Sequence, residues 1–283
     1  MLIRDRAFVW GQRTYLMAIL NVTPDSFSDG GQFNSLPTAI AHAHQLVAAG
    51  ADILDIGGQS TRPGATTIAE AEELARVIPV ITALRTGWGE YGPLSIPISI
   101  DTTRASVAQA AIAAGADLVN DISAATFDPA MLTTVANLQV PIVLMHLRGT
   151  PQTMQQLTDY GDLIAEVATF LMTQVAAAQA VGIPANHLIL DPGIGFAKTV
   201  AQNLLLLRQL PQLRSLGYPL LVGPSRKSFI GHLLNQPDPQ DRIWGTAAAC
   251  CAAIAGGADI VRVHDCAPMQ AVCRVADAIW RGT

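Results

Sequence analysis

The sequence of 283 residues is poor in charge, since Asp, Glu, Lys and Arg together make up only 14% of it. The net charge of -5 gives no reason to expect a nucleic-acid partner. The four cysteines lack the C-x-x-C spacing of a metal site, so we expect reduced packing thiols in a cytoplasmic protein. Half of the residues are apolar, which predicts a large buried core.

Two further absences argue against a membrane protein. The first ten residues carry charges where a signal peptide would have its apolar stretch. The longest apolar tract, 247–258, is shorter than the about 20 residues that a membrane-spanning helix needs. We therefore interpret this tract as a buried core helix and expect no membrane contact.

What the chain does contain is a repeated joint between a helix and a strand. The segments AAGADILDIGG (48–58), AAGADLVNDIS (113–123) and AGGADIVRVHD (255–265) each begin with small residues and a glycine suited to ending a helix. Each continues into a short apolar strand that ends in polar residues. The pattern is typical of β/α units.

Eight short apolar runs are candidate strands, and helical patterns separate them. The strands are predicted at 15–20, 53–56, 96–100, 118–119, 141–145, 187–190, 219–222 and 260–263, with helices at 38–49, 104–114, 162–181 and 241–255 among others. Continuously apolar strands indicate burial on both faces, as in parallel sheets. We predict a single-domain (β/α)8 barrel spanning 1–283, with residues 1–13 forming a hairpin that plugs its bottom.

Polar residues lie at or just after the C-terminal end of every predicted strand. They are Asn21, Asp55, Asp101, Asn120 with Asp121, His146, Asp191, the stretch 225–227, and Arg262 with His264. A single polar residue there is often only a turn or a helix cap. In this fold, however, the C-terminal strand ends face one cavity, so eight such endings favour a shared pocket. The long connections 21–36 and 57–69 lie on the same side, and we expect them to be mobile active-site loops.

Eight ordered blocks resemble the signatures of the dihydropteroate synthase family. They are NVTPDSFSDGG (21–31), DIGGQSTRPG (55–64), SIDT (99–102), VNDIS (119–123), LMHLRGTPQTMQ (144–155), DPGIGFAK (191–198), SRKS (225–228) and RVHD (262–265). The resemblance implies a homodimeric transferase of folate biosynthesis and a sulfonamide target. Its reaction joins 6-hydroxymethyl-7,8-dihydropterin diphosphate to p-aminobenzoate and releases pyrophosphate, with Mg²⁺.

The resemblance also assigns the pterin site. Asp101 and Asp191 resemble the family's acceptors for the aminopyrimidinone edge, whose adjacent N–H donors a carboxylate can accept in pairs. Asn120 would donate and accept at the same ring, and Lys227 would donate to it. The alternative for the two carboxylates is helix capping or an ion pair with Lys227.

The remaining site residues follow from the same blocks. Thr61, Arg262 and His264, with Arg62, would hold the diphosphate, and the p-aminobenzoate site would be lined by Phe27, Thr61, Arg62, Pro63, Phe196 and Ser228. Asn21 resembles the Mg²⁺ ligand, although its position before Thr23–Pro24 also suits a turn asparagine. We hypothesise a dissociative substitution in which the catalytic residues are Asp29, Arg62, Lys227, Arg262 and His264. Asp29 would lie near the cationic intermediate.

One departure from the family pattern is Gln59, where glutamate is more usual, and we interpret the position as structural. Two alternative functions stay open. One is a pterin barrel that passes a methyl group from methyltetrahydrofolate to a corrinoid, which needs no diphosphate site. The other is a catalytically silent paralogue that binds a pterin without converting it.

Overall fold

The computed structural model describes residues 1–22, 35–62 and 64–282. The described strands are β1 (Leu2–Ile3), β2 (Arg6–Ala7), β3 (Tyr15–Asn21), β4 (Ile53–Gly57), β5 (Ile98–Asp101), β6 (Leu118–Asp121), β7 (Ile142–Met145), β8 (Leu188–Asp191), β9 (Leu221–Val222) and β10 (Ile260–Val263). The described helices are α1 (Ser35–Ala48), α2 (Glu70–Thr86), α3 (Ala105–Ala114), α4 (Met131–Leu138), α5 (Leu163–Ala180), α6 (Val200–Arg208), α7 (Leu210–Arg214), α8 (Ser228–Leu234), α9 (Ile243–Ala255) and α10 (Cys266–Trp280).

Strands β3 to β10 form one parallel sheet in the order β8-β7-β6-β5-β4-β3-β10-β9. A parallel bridge between Leu190 and Leu220 brings the two ends of this sheet together, so the strands form a nearly closed barrel. Helices follow the strands and surround them. The predicted (β/α)8 architecture is confirmed, and each of the eight predicted strands overlaps an observed strand, with ends that differ by at most two residues.

The bottom of the barrel is closed by the N-terminal hairpin, as predicted. Strands β1 and β2 pair antiparallel. Ile3 and Phe8 of this hairpin pack against the first inward side chains of the barrel strands, among them Tyr15, Met17 and Ile53. Burial of these apolar side chains seals the barrel end at which the strands begin. The polar strand ends lie at the opposite end.

The repeated joint predicts a glycine that ends each helix, and the structure places one there. Gly115 follows α3 with a φ of 114°, and its N–H caps carbonyls of the last helical turn. A side chain at this position would meet Arg85 Cγ at 2.5 Å, and L-residues rarely adopt this φ. The joint therefore requires glycine for both conformation and space.

The apolar tract 247–258 lies largely in α9, whose Cys250, Ala253 and Ile254 are buried as expected. Within the part of the chain that the structure describes, one helix is long and apolar enough to cross a membrane, namely α5. Its buried side chains, such as Val167 and Leu171, pack in the main hydrophobic core. The four cysteines are free thiols, and three of them are buried.

Candidate active site at the C-terminal ends of the strands

The strand register brings the predicted polar residues to one level of the barrel. Asn21 is aligned with Gly57, Gly57 with Asp101, and Asp101 with Asn120 on successive strands. Farther around the barrel, Met145 is aligned with Asp191. The side chains predicted from separate sequence blocks are therefore neighbours at one rim.

An ion cluster lies at the centre of this rim. Arg262 donates from Nε to Asp55 Oδ2 at 2.5 Å and from a terminal nitrogen to Asp101 Oδ2 at 2.7 Å. Asn120 Nδ2 donates to the same Asp55 oxygen at 3.0 Å. Burial would lower the pKa of Arg262, but Asp55 and Asp101 raise it above its ordinary value. We call Asp55, Asp101, Asn120 and Arg262 the rim cluster.

Asp55 is a member of the rim cluster to which the sequence analysis assigned no role. Its side chain is fully buried, and its Oδ1 atom has no hydrogen-bond partner among the described residues. A buried acceptor without a partner is rare and points to a missing donor. The signal in the sequence is a carboxylate inside the apolar strand ILDIG.

Asp191 and Lys227 lie beside the rim cluster. Burial raises the pKa of Asp191 to about 6, although Lys227 and Arg262 oppose the shift. Burial and the charge of Arg262 lower the pKa of Lys227 to about 8. The Lys227 ammonium lies 4.1 Å from the centre of the Phe196 ring, at cation–π distance. Burial likewise raises the pKa of Asp101 well above its usual range.

His264 and Arg62 border the cluster on its cationic side. Ser225 Oγ lies 3.0 Å from His264 Nδ1 and also accepts the His264 backbone N–H. Burial, together with the charges of Arg226 and Arg262, lowers the pKa of His264 to about 3. The ring is therefore a neutral donor or acceptor near pH 7. Arg62 is exposed, yet its charge contributes to the lowered pKa of both His264 and Lys227.

The second loop, 57–69, borders a cavity of about 340 Å³ that reaches Thr61 and Asp101. Gln59 Oε1 accepts the N–H of Ile68 at 3.2 Å, while Arg104 donates to the carbonyl of the same residue at 2.5 Å. These contacts agree with the structural interpretation of Gln59, because its side chain fixes the base of the loop. A cavity of this size suits a small-molecule ligand.

Two other predicted residues lie at the ends of secondary-structure elements. Asn21 ends β3 half-buried, and Ser228 is the first residue of α8 and exposed. The predictions for Phe27, Asp29 and Pro63 fall outside the described residues.

The donor set at Asn21 suits a hard cation held partly by substrate. Within the described ranges, no cluster of three or more His, Cys, Asp or Glu side chains has the form of a metal site. Asn21 offers one amide oxygen at the rim, beside Gly57. Because Mg²⁺ often keeps several waters and uses phosphate oxygens, one protein oxygen is compatible with it.

The comparisons with known proteins agree with this geometry. The family model "Pterin binding enzyme" matches residues 17–264. The dihydropteroate synthase of Synechocystis sp. is 65% identical over 274 residues, which cover 97% of this chain and 93% of that protein.

Three solved structures have the same fold. The Xanthomonas albilineans dihydropteroate synthase with 4-aminobenzoic acid has a TM-score of 0.88 at 45% identity, covering 95% of this chain and 94% of that one. The same enzyme with 7,8-dihydropteroate has a TM-score of 0.85 at 41% identity, covering 96% and 95%. The Yersinia pestis enzyme with a sulfonamide drug complex has a TM-score of 0.91 at 41% identity, covering 100% and 99%. This chain belongs to the dihydropteroate synthase family of pterin-binding enzymes.

Proposed function

We propose that the rim cluster, with Asp191 and Lys227, binds the pterin ring, and that the neighbouring cationic side binds its diphosphate. The reaction served is that of dihydropteroate synthase, a transferase of folate biosynthesis. It joins 6-hydroxymethyl-7,8-dihydropterin diphosphate to p-aminobenzoate and releases pyrophosphate. The observation that carries the proposal is the convergence of Asp55, Asp101, Asn120 and Arg262 by direct hydrogen bonds.

The pterin role rests on matched hydrogen-bonding groups. The ring presents adjacent N–H donors and a carbonyl along one edge. Asp101 and Asp191 supply buried acceptors, Asn120 supplies both kinds of group, and Lys227 supplies donors. The Oδ1 atom of Asp55 is a further buried acceptor in the same cluster, without a partner among the described residues. Burial raises the free-energy cost of losing any of these bonds, because a ring with a different donor and acceptor pattern would leave buried polar groups unpaired.

The diphosphate role rests on the positive charge beside the cluster. Arg62 is free to turn toward an anion, since its exposed side chain has no ion-pair partner among the described residues. Arg262 of the rim cluster adds a second positive charge, and His264 adds a neutral N–H donor. Asn21 would hold Mg²⁺, which supplies charge neutralisation for the diphosphate when bound. Thr61 adds a hydroxyl from the second loop.

The p-aminobenzoate role rests on Phe196 and on the start of α8. Phe196 offers an apolar face beside Lys227. Ser228, together with Thr61 and Arg62 of the second loop, offers polar groups for the benzoate carboxylate. The roles assigned to Phe27, Asp29 and Pro63 stay predictions.

Bond formation would follow a dissociative order. The C–O bond to the diphosphate breaks first, and pyrophosphate takes the electron pair while Arg62, Arg262 and His264 stabilise its charge. The remaining cation is spread from the methylene carbon into the pterin ring, close to three carboxyl groups. The aniline nitrogen then forms a bond to the methylene carbon, and its excess proton passes to solvent. Catalysis on this account is positioning and electrostatic stabilisation without a side-chain nucleophile.

A pyrophosphate-release assay separates this function from the two alternatives. The protein is incubated with the pterin diphosphate, with and without p-aminobenzoate, and pyrophosphate and dihydropteroate are both measured. We expect equal amounts of the two products when p-aminobenzoate is present. Binding of the pterin diphosphate without release would indicate a silent paralogue. Absence of binding, together with methyl transfer from methyltetrahydrofolate to a corrinoid, would indicate the methyltransferase.

A homodimer in the cytoplasm is part of the proposal. Half of the large hydrophobic side chains exposed in the described structure lie on α8, α9 and α10, namely Leu233, Leu234, Trp244, Val275, Ile279 and Trp280. Trp244 is the most exposed of them, at 80%. Exposed apolar surface of this kind favours association with a partner, and a second copy of the chain satisfies it by symmetry.

A further inference from the structure

A buried lysine that the proposed reaction does not use lies directly behind the site. Lys198 and Lys227 are the only lysines in the sequence, although it has 17 lysine and arginine residues in all. Lys227 is half-buried beside Phe196, whereas Lys198 is only 3% exposed. Since burying an ammonium group is costly without compensating bonds, its contacts should explain its presence.

The ammonium group of Lys198 has three acceptors around it. Its Nζ atom lies 2.8 Å from the carbonyl oxygen of Phe196, 3.0 Å from that of Gly193 and 3.0 Å from His146 Nδ1. Burial lowers the pKa of Lys198 to about 7, so the amine is an ammonium group below that pH. An ammonium group has three protons, and these three partners satisfy it completely. Burial and the charge of Lys198 lower the pKa of His146 to about 2, so the imidazole is neutral and Nδ1 can accept.

The two carbonyls belong to the loop that joins β8 to α6. At one end of this loop, the N–H of Gly193 donates to Asp191 Oδ1 at 2.7 Å. At the other end, the Phe196 ring lies beneath the Lys227 ammonium. Lys198 therefore binds the carbonyl of Gly193, whose N–H contacts Asp191. It also binds the carbonyl of Phe196, whose ring contacts Lys227.

The path of this loop leaves little room for adjustment. Gly193 has a φ of 71°, and a side chain there would meet the carbonyl oxygen of His146 at 2.1 Å. Gly195 has a φ of 84°, and a side chain there would meet Lys227 Cδ at 2.9 Å. Glycine adopts these angles without strain, so the two positions require glycine chiefly for space. Ala197 of the same loop has a φ of 51°, which a residue with a side chain keeps only when surrounding contacts enforce it.

We propose that Lys198 is a positioning residue, whose ammonium group clamps loop 191–198 so that Asp191 and Phe196 are placed for the pterin and p-aminobenzoate. The clamp requires the protonated amine, because a neutral amine would turn a lone pair toward one of three acceptors. Arginine cannot replace it, since a planar guanidinium does not match three acceptors around a single nitrogen. The functional part of this inference rests on the proposed roles of Asp191 and Phe196.

The test compares Lys198→Met with a matched control, Arg85→Met. Arg85 is also a cation, with a side chain only 7% exposed, that donates to the backbone carbonyls of Gly115, Leu94 and Ile96, but it lies at the opposite end of the barrel. We expect Lys198→Met to lower kcat/KM for the pterin diphosphate roughly tenfold to a hundredfold at pH 6.5, because the site residues are misplaced. Arg85→Met should lose stability and keep its kcat/KM.

A spectroscopic measurement reports on the loop without any activity. In protein labelled at lysine Cε, Lys198→Met leaves the single signal of Lys227, which the Phe196 ring shifts. We expect that signal to move toward its solvent-exposed position in Lys198→Met and to stay unchanged in Arg85→Met. An unmoved Lys227 signal, or a kcat/KM loss equal in the two variants, would overturn the clamp. A moved signal with unchanged kinetics would retain the clamp and refute the proposed roles of Asp191 and Phe196.

The wild-type protein provides the test if Lys198→Met does not fold. Three hydrogen bonds slow proton exchange, so the Lys198 ammonium group should give a ¹H–¹⁵N signal at pH 6 that correlates with the ring protons of His146. Lack of this signal would overturn the proposal.

Discussion

Replacing Arg262 with methionine tests the ion cluster at the rim. Arg262 neutralises two carboxylates, Asp55 with a fully buried side chain and Asp101 with a side chain 7% exposed. Removing one partner from a buried ion pair costs about 3–5 kcal/mol, because it leaves the other charge buried and uncompensated. For a chain of this size, 1 kcal/mol corresponds to about 2 °C in Tm. We therefore expect Arg262→Met to lower Tm by roughly 6–10 °C at pH 8.

The loss of Tm in Arg262→Met, relative to wild type, should become smaller as the pH falls. Burial already raises the pKa of Asp101, and loss of Arg262 removes the main opposing charge. A carboxyl whose pKa is raised in the folded state favours folding below its unfolded pKa of about 3.9 and loses that contribution as pH rises through the folded pKa. The Tm of Arg262→Met should therefore be closer to the wild-type Tm at pH 5 than at pH 8.

Arg13→Met is the matched control for this experiment. Arg13 forms a bidentate ion pair with Asp52, with N···O distances of 2.7 and 3.0 Å, but its side chain is 49% exposed. Exposed pairs contribute about 0–1 kcal/mol. Equal Tm losses for Arg262→Met and Arg13→Met at pH 8, or a larger deficit of Arg262→Met at pH 5, would refute the reasoning.

Three further predictions concern the pterin site, the second loop and the dimer. Because burial raises the pKa of Asp191 to about 6, affinity for 6-hydroxymethylpterin should rise with pH between 5 and 7, and a flat titration would contradict this. Gln59→Glu should keep the bond from Ile68 and the p-aminobenzoate KM, whereas Gln59→Met should raise that KM by roughly fivefold, matching about 1 kcal/mol. Equal KM values for the two variants would remove Gln59 from loop positioning. Trp244→Glu should convert a dimer to a monomer in light scattering, and an unchanged mass would exclude that surface.

The barrel could be predicted because its determinants are local. Each strand is a short apolar run, and each repeated joint places a glycine such as Gly115 where the helix must end. The strand ends then face one side by the topology of the fold, without any knowledge of long-range pairing. The site residues could accordingly be placed on one rim from the sequence alone.

The contacts inside the site could not be predicted in the same way. Arg262 and Asp55 lie 207 residues apart, and their pairing depends on barrel closure and strand register. The sequence favoured Arg262 as a diphosphate ligand, whereas in the structure it also neutralises two carboxylates of the pterin wall. Lys198 lies in the block DPGIGFAK, but the block alone does not predict that its side chain binds the carbonyls of Gly193 and Phe196.

The central claim is that one side of the rim binds the ring and the other side binds the diphosphate. Calorimetric titration with 6-hydroxymethylpterin and with pyrophosphate, each alone, tests it most directly. Asp191→Asn should weaken pterin binding roughly tenfold to a hundredfold, since hydrogen bonds to charged groups contribute about 1.5–3 kcal/mol, and should leave pyrophosphate binding unchanged. His264→Ala should show the reverse pattern. Equal weakening of both ligands by both variants, or no weakening of pterin binding by Asp191→Asn, would contradict the account.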